Sequence, residues 1–493
     1  MLCIEKIYGS KSGAGMIIRF TTPSMCILKN CETSCMIVVA ASFKQSAASA
    51  IASTPNTRNN GYNNGVSLFK VAPKIQIKKK RSRHLKHRRT LWDFIRPRKS
   101  GVITGAADND PSGIVTYTQT GAVAGLGLLW TVLFSLPMLV VVEEMSTRVG
   151  IVTKRGLNKI ISAKFGFASA VFTALIVAVC NTLTIGANLA FMSQIASIFS
   201  GIPAQYWVGL FGLILLFILL KKGYAIISRY LLFITPIFLL YIISAFMVPD
   251  IPWANVVVNT VVPRLNLSDF SVIMLALGVF GTTVSPYLIF WQTTEEIEEK
   301  KKVKDIDEES AGVVSGMFFT QTVFFFIVLV AALVLHGQVG EVETAEQAAL
   351  ALKPLAGNIS FFIFSIGIMA SGLLAVPVLT ASTAYTVADT FNWKEGLDKK
   401  QIHASGFYTI IILAMIAGIG IALSGFSPVM MLVYSQVLNG VLVPILLVYL
   451  ILIANDKKIM GQHRNSFLAN LISWVTVLVM GSLTLLMIWS WFK

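Results

Sequence analysis

Long apolar stretches recur along this chain, and they decide what it can fold into. Crossing a bilayer as helix takes about 20 apolar residues. From residue 101 onward such stretches follow one another with short polar gaps. Charged residues make up 13% of the chain, against about a quarter in a soluble domain. A fold surrounded by water would therefore leave wide apolar faces uncovered. The expected class is an all-α membrane protein, integral and multi-pass, with the lipid bilayer as its solvent.

Eleven spans are expected, near 101–122, 124–146, 168–196, 204–220, 229–248, 268–293, 311–335, 359–387, 404–423, 427–453 and 467–491. Basic residues favour the inner side of a membrane. With the N-terminus placed inside, 18 Lys and Arg beyond residue 100 fall in inner loops, among them Arg148, Lys164, Lys301 and Arg464. The outer side holds three, Arg264, Lys353 and Lys493. That asymmetry sets the expected orientation, with a cytoplasmic N-terminus and a plasma or inner membrane location.

The net charge of +16 belongs to one region. Residues 1–100 hold 19 Lys and Arg and 3 Asp and Glu, so totals of 40 and 24 leave 21 of each beyond. Residues 1–90 are expected to be a basic, disordered tail, and 91–493 a separate membrane-spanning domain. A cytosolic extension or upstream start, an acid-poor transit peptide and a nucleic-acid-binding segment centred on the basic run 78–89 compete as readings of residues 1–90. Beside a membrane, retention on the inner face and attraction to anionic lipid are the simpler reading, so no nucleic-acid partner is expected. Cys26, Cys31 and Cys35 lack the tight pairing of a zinc site, and no structural disulfide or resident cofactor is expected.

Most acids lie in loops or near span ends. Asp108 and Asp110 sit well inside the first span, where a carboxylate costs on the order of 3 kcal/mol and defaults to a functional role. No Lys or Arg lies deep in another span to pair with them. Pro111 removes a backbone donor and Gly113 loosens the backbone. A helix broken there exposes carbonyls beside carboxylates, an oxygen cluster suited to a cation. A second break, Gly281-Thr282-Thr283-Val284-Ser285-Pro286-Tyr287, falls in the sixth span. Spans one and six are the first members of two five-helix halves. Paired broken helices at matching positions point to a site between inverted repeats, the LeuT-like arrangement.

These residues resemble the NRAMP family of divalent-metal transporters. Asp110-Pro111-Ser112-Gly113 is similar to that family's Asp-Pro-Gly-Asn, and Gln119-Thr120-Gly121-Ala122 to the stretch after it. Ser146 to Thr153, Ala370-Ser371-Gly372 and Ser435-Gln436-Val437 resemble motifs after span two and in spans eight and ten. The resemblance runs from about Trp92 to the C-terminus. It implies that Asp110 binds metal, that Ala107 and Thr282 offer backbone carbonyls, and that Gln436 joins the site. Asp108 and Asn109 are neighbouring candidates. Asp108 could be a second ligand, an acceptor for the hydration shell, or an acid at the cavity mouth.

The departures shift the expected cargo. The family's asparagine is Gly113 here, and its Met-Pro-His-Asn in span six is Ser285-Pro286-Tyr287-Leu288. A hydroxyl replaces a thioether, which favours hard ions over softer transition metals. Mg²⁺ keeps several waters when bound, and a roomier oxygen site suits it. The chain thus resembles the NRAMP-related magnesium transporters. The span-three acids of the family align with Asn181 and Thr184, so weak or absent proton coupling is expected. The divalent metal ion is the expected partner, as substrate, with Mg²⁺ first and Mn²⁺ next, moved by alternating access. The rival readings are a proton-coupled Mn²⁺ or Fe²⁺ symporter and, below it, an amino-acid or organic-cation symporter, whose substrate carboxylate Asp108 and Asp110 would repel. No phosphate loop, nucleophile motif or His-rich site supports an enzyme, and the oligomeric state stays open.

Overall fold

The computed structural model describes residues 109–221 and 235–492. The residue 1–90 tail, Ala107 and Asp108 lie outside the described residues.

Helix α1, Pro111–Ala124, starts where the chemistry of the sequence says it must. Asp110 is its N-cap and Pro111 its first residue. Proline there costs no hydrogen bond, because the first helical N–H groups have no intrahelical partner. The helix ends at Gly125, whose φ of 56° suits glycine, and a 3-10 turn, Gly125–Leu128, leads into α2, Leu129–Thr153. The first two expected spans are thus one 43-residue apolar run, Pro111–Thr153, bent at a glycine rather than parted by a polar loop.

The remaining long helices are α4, Phe167–Ser200; α5, Ala204–Lys221; α8, Phe270–Thr283; α9, Pro286–Glu298; α10, Ile306–Val334; α11, Ser360–Thr390; α12, Ser405–Ala422; α13, Pro428–Ala454; and α14, Phe467–Trp491. Among the described residues, nine helical stretches are long and apolar enough to cross a membrane. One of them holds expected spans one and two, and another is α8 with α9. The expected fifth span lies partly outside the described residues, with α6, Leu239–Phe246, as its described part.

Two nine-residue helices are among the short elements outside the expected spans. In α3, Leu157–Phe165, the apolar residues Leu157, Ile160 and Ile161 are buried. Asn158 bonds to Ala170 O at 2.9 Å and Thr390 Oγ1 at 2.5 Å, pinning the ends of α4 and α11 together. The other, α7, is Trp253–Val261.

The sixth span breaks where expected. Val284 and Ser285 separate α8 from α9, and Pro286 opens α9. Ser285 is extended, with φ −91° and ψ 143°, because proline disfavours the helical conformation of the residue before it. This broken pair is the centre of the bundle, with 94% of its apolar window buried, against 22% for α14 at the periphery. Close approach of α8 to α13 depends on two glycines. A Cβ on Gly281 would sit 2.4 Å from Gly440 N, and a Cβ on Gly440 would sit 2.5 Å from Leu277 O. Small residues let membrane helices pack backbone to backbone, where apolar side chains gain nothing over lipid.

Residues expected on the inner side converge at one end. Arg148 donates to the Arg464 carbonyl at 3.1 Å and to Asn465 Oδ1 at 2.8 Å. Lys164 pairs with Asp456 at 2.7 Å. Four buried glutamates, Glu143, Glu295, Glu296 and Glu309, lie on α2, α9 and α10 towards that end. Lys301 bridges Glu299 and Glu309. Burial alone would push the Lys301 ammonium down, but the two carboxylates outweigh it and hold it above the usual lysine range.

Candidate metal site

Asp110 stands at the N-terminus of α1, buried, with 3% of its surface exposed. As the cap it is extended, at φ −77° and ψ 164°, and one carboxylate oxygen accepts from Gly113 N at 2.6 Å. The helix dipole favours a negative charge there. The other oxygen accepts from Ser112 Oγ and from Asn188 Nδ2 of α4, the latter at 3.3 Å.

A chain of donors runs toward this carboxylate from α13. Asn439 Nδ2 donates to Gln436 Oε1 at 3.0 Å, and Gln436 Nε2 donates to Ser112 Oγ at 2.6 Å. Ser112 then donates to Asp110. Every bond in the series points the same way, as expected for a network organised by one buried negative charge. Elements α1, α4 and α13 therefore meet at Asp110.

The span-six break joins α1 through a neighbouring pair. Tyr117 OH and Thr283 Oγ1 are 2.5 Å apart. Thr282 and Ser285, both buried, interact with each other: Ser285 Oγ donates to the Thr282 carbonyl at 2.7 Å and approaches that of Gly281 at 3.3 Å. A carbonyl oxygen has two lone pairs, so this bond still leaves Thr282 one to offer. Asn109 is buried and donates to Thr320 Oγ1 of α10 at 3.4 Å. Of the expected residues, Asp110 and Gln436 are linked through Ser112, and Thr282 and Ser285 line the break.

One thioether packs close to the start of α1. Met192 follows Asn188 by one turn on α4, and its sulfur fills the space a Cβ on Gly372 would occupy, beside the Pro111 ring. Position 285 itself offers only a hydroxyl.

Sequence reasoning missed Ser112, Asn188 and Asn439. A signal for Asn188 exists. Asn181, Thr184 and Asn188 recur at three- and four-residue steps, which is one face of a helix. The structure uses the first two internally: Asn181 donates to Thr383 Oγ1 at 3.0 Å, and Thr184 donates to the Cys180 carbonyl at 2.9 Å. Among the described residues no group of three or more His, Cys, Asp or Glu is placed to hold a metal ion. Among the described residues, the candidate site holds one carboxylate among neutral hydroxyl and amide groups.

Residues 101–490 match the family described as natural resistance-associated macrophage protein-like, or Nramp. The chain belongs to the Nramp family. A relative from Deinococcus radiodurans, named a divalent metal cation transporter MntH, is 26% identical over 427 residues, covering 82% of this chain and 91% of its own length. Another of the same name from Yersinia enterocolitica is 27% identical over 392 residues, covering 75% and 89%. Among solved structures, a manganese transporter from Eremococcus coleocola superposes with a TM-score of 0.65 at 16% identity, covering 80% of this chain and 87% of its own. That likeness bears on the fold, and it agrees with the expected all-α architecture with broken helices one and six.

Proposed function

We propose that this Nramp protein carries a divalent metal cation across a membrane by alternating access, with Asp110 as the residue that holds the ion. The observation that carries this reading is the buried Asp110 carboxylate at a helix N-terminus, with no basic partner among the described residues and a fan of hydroxyl and amide groups around it. A buried charge without a countercharge is costly. A cation in transit supplies that countercharge.

The finer proposal is that Mg²⁺ is the main cargo. The groups at hand are oxygens, from Asp110, Ser112, Asn188, Thr282, Ser285 and Gln436, with Asn109 beside them. Hard oxygen donors suit Mg²⁺, Ca²⁺ and Mn²⁺. Asp108 and Ala107, as neighbours in sequence, are proposed members of the same site. Coupling to protons is proposed to be weak or absent, because Asn181 and Thr184 stand where the family's acids align and are held in neutral hydrogen bonds. The basic asymmetry supports a cytoplasmic N-terminus, a plasma or inner membrane location, and residues 1–90 as a tail apart from the transporter domain.

Manganese transport is the second reading, favoured by the Eremococcus coleocola structure titled a manganese transporter. Uptake of Mg²⁺, Mn²⁺ and Ca²⁺ by the purified protein in liposomes, with internal pH recorded, separates the two. The expected result is saturable Mg²⁺ uptake without internal acidification, lost in Asp110→Ala. Uptake of Mn²⁺ alone with acidification would establish the second reading. Undiminished flux in Asp110→Ala would overturn the site.

A further inference from the structure

The amide of Asn188 poses a problem that the transport reading alone does not solve. Its Nδ2 donates to Asp110 at 3.3 Å. Its Oδ1 is buried and has no hydrogen-bond partner, and the whole residue has 0% exposure. Leaving an amide oxygen unsatisfied in an interior costs about 1–3 kcal/mol, and an orphaned buried group in a native fold calls for an explanation. Ser112, which donates to the same Asp110 oxygen as Asn188, and Gln436 behind it are both engaged in the series that ends on Asp110.

We propose that Asn188 is an ion ligand contributed by α4, whose side-chain oxygen turns onto the cation held by Asp110. This rests on the reading of Asp110 as the ion-holding residue. A half-turn about the terminal torsion exchanges Oδ1 with Nδ2 and moves nothing else. The amide oxygen then lies about 3.3 Å from the Asp110 carboxylate oxygen, where the nitrogen was. Two oxygens at that distance repel each other unless a cation joins them. Neighbouring oxygens in an octahedron lie about 3.0 Å apart for Mg²⁺ and about 3.3–3.7 Å apart for Ca²⁺, from metal–oxygen distances of about 2.1 Å and 2.3–2.6 Å. The spacing therefore fits two adjacent positions around a hard divalent ion, with a few tenths of an ångström of closure for Mg²⁺. In one orientation the amide neutralises part of the Asp110 charge, and in the other it adds a ligand. The exchange keeps the carboxylate hydrogen-bonded or metal-bound throughout, which eases both loading and release.

Asn188 thereby brings a fourth span into a site expected from spans one, six and ten. Movement of α4 relative to α1 would separate the two ligands and weaken the hold on the ion.

The test uses the full-length protein in detergent and in liposomes, with Mg²⁺, Mn²⁺ and Ca²⁺ as probes. Binding is read by calorimetry, and infrared difference spectra are taken on protein carrying ¹³C-labelled asparagine. Asn188→Leu, close in size but without an oxygen, is expected to raise the Kd for each ion about tenfold. Asn188→Asp, which keeps an oxygen, is expected to bind at least as tightly as the unaltered protein. Mg²⁺ is expected to shift an asparagine side-chain carbonyl band in the unaltered protein, and that band is expected to be absent from both variants. A role confined to helix packing would lower the metal-free melting temperature and leave the band unmoved by Mg²⁺. An unshifted band, or a Kd within twofold in Asn188→Leu while Asp110→Ala fails to bind, overturns the inference and leaves the transport reading standing. If Asn188→Leu does not fold, the band in the unaltered protein and its loss in Asn188→Asp decide. Normal binding by Asp110→Ala overturns the transport reading instead.

Discussion

Ser112 does two jobs with one hydroxyl: it donates to Asp110 and accepts from Gln436. Replacing it by alanine takes one of three donors from the carboxylate and leaves the Gln436 amide nitrogen with only its 3.4 Å contact to Ser435 Oγ, each a disturbance of about 1–3 kcal/mol. Ser112→Ala is therefore expected to raise the KM for uptake about tenfold with a smaller effect on maximal rate, and Ser112→Thr to restore most of it. An unchanged KM in the alanine variant would remove Ser112 from the site. Asp110 was legible in the sequence because an acid in an apolar run has few structural excuses. Ser112 and Asn188 were not, because serine and asparagine are common in membrane helices as backbone-bonded neighbours. Thr184, bonded to the Cys180 carbonyl one turn back, shows that ordinary use on the same helix as Asn188. What separates Asn188 from Thr184 is the direction of its side chain and the residue it meets, neither of which is local in sequence.

The element that decides the fold is the broken pair α8 and α9. Pro286 made the break readable, since the proline and its extended predecessor cannot continue a helix. Gly281 was readable only as part of that break, yet its larger role is the crossing with Gly440 of α13. Gly281→Ala places a methyl group 2.4 Å from Gly440 N, and overpacking of this kind costs about 1–3 kcal/mol. The expected outcome is a lower melting temperature in detergent together with slower uptake, since α13 carries Gln436 and Asn439. A melting temperature equal to that of the unaltered protein would show that the crossing has slack. The boundary expected at residue 123 falls just before the turn Gly125–Leu128, a bend within one apolar run. The short helices α3 and α7 were missed for a related reason: each is nine residues long, too brief to cross a membrane, and span counting has no category for helices that lie at its edge.

At the scale of the whole molecule the question is what drives the ion. The positions where the family's span-three acids align are an asparagine and a threonine, and a phenol stands where the span-six histidine would be. None of the three changes charge near neutral pH. The driving forces left are the ion gradient and the membrane potential. Each charge moved through 100 mV gains about 2.3 kcal/mol, so a divalent ion gains about 4.6 kcal/mol. At about 1.4 kcal/mol per tenfold, that supports a concentration ratio of about 10³ with no proton contribution. In liposomes held at 100 mV, negative inside, Mg²⁺ is expected to accumulate towards that ratio and to leave when the potential is collapsed. Changing the external pH from 6 to 8 is expected to leave uptake within about twofold, since no titrating group in this range is assigned to the ion's path. Accumulation that persists at zero potential but follows an imposed pH gradient would show that protons drive the ion. A buried carboxyl elsewhere would then have to carry them, and Glu143, with both oxygens unpartnered and no exposure, would be the first residue to replace.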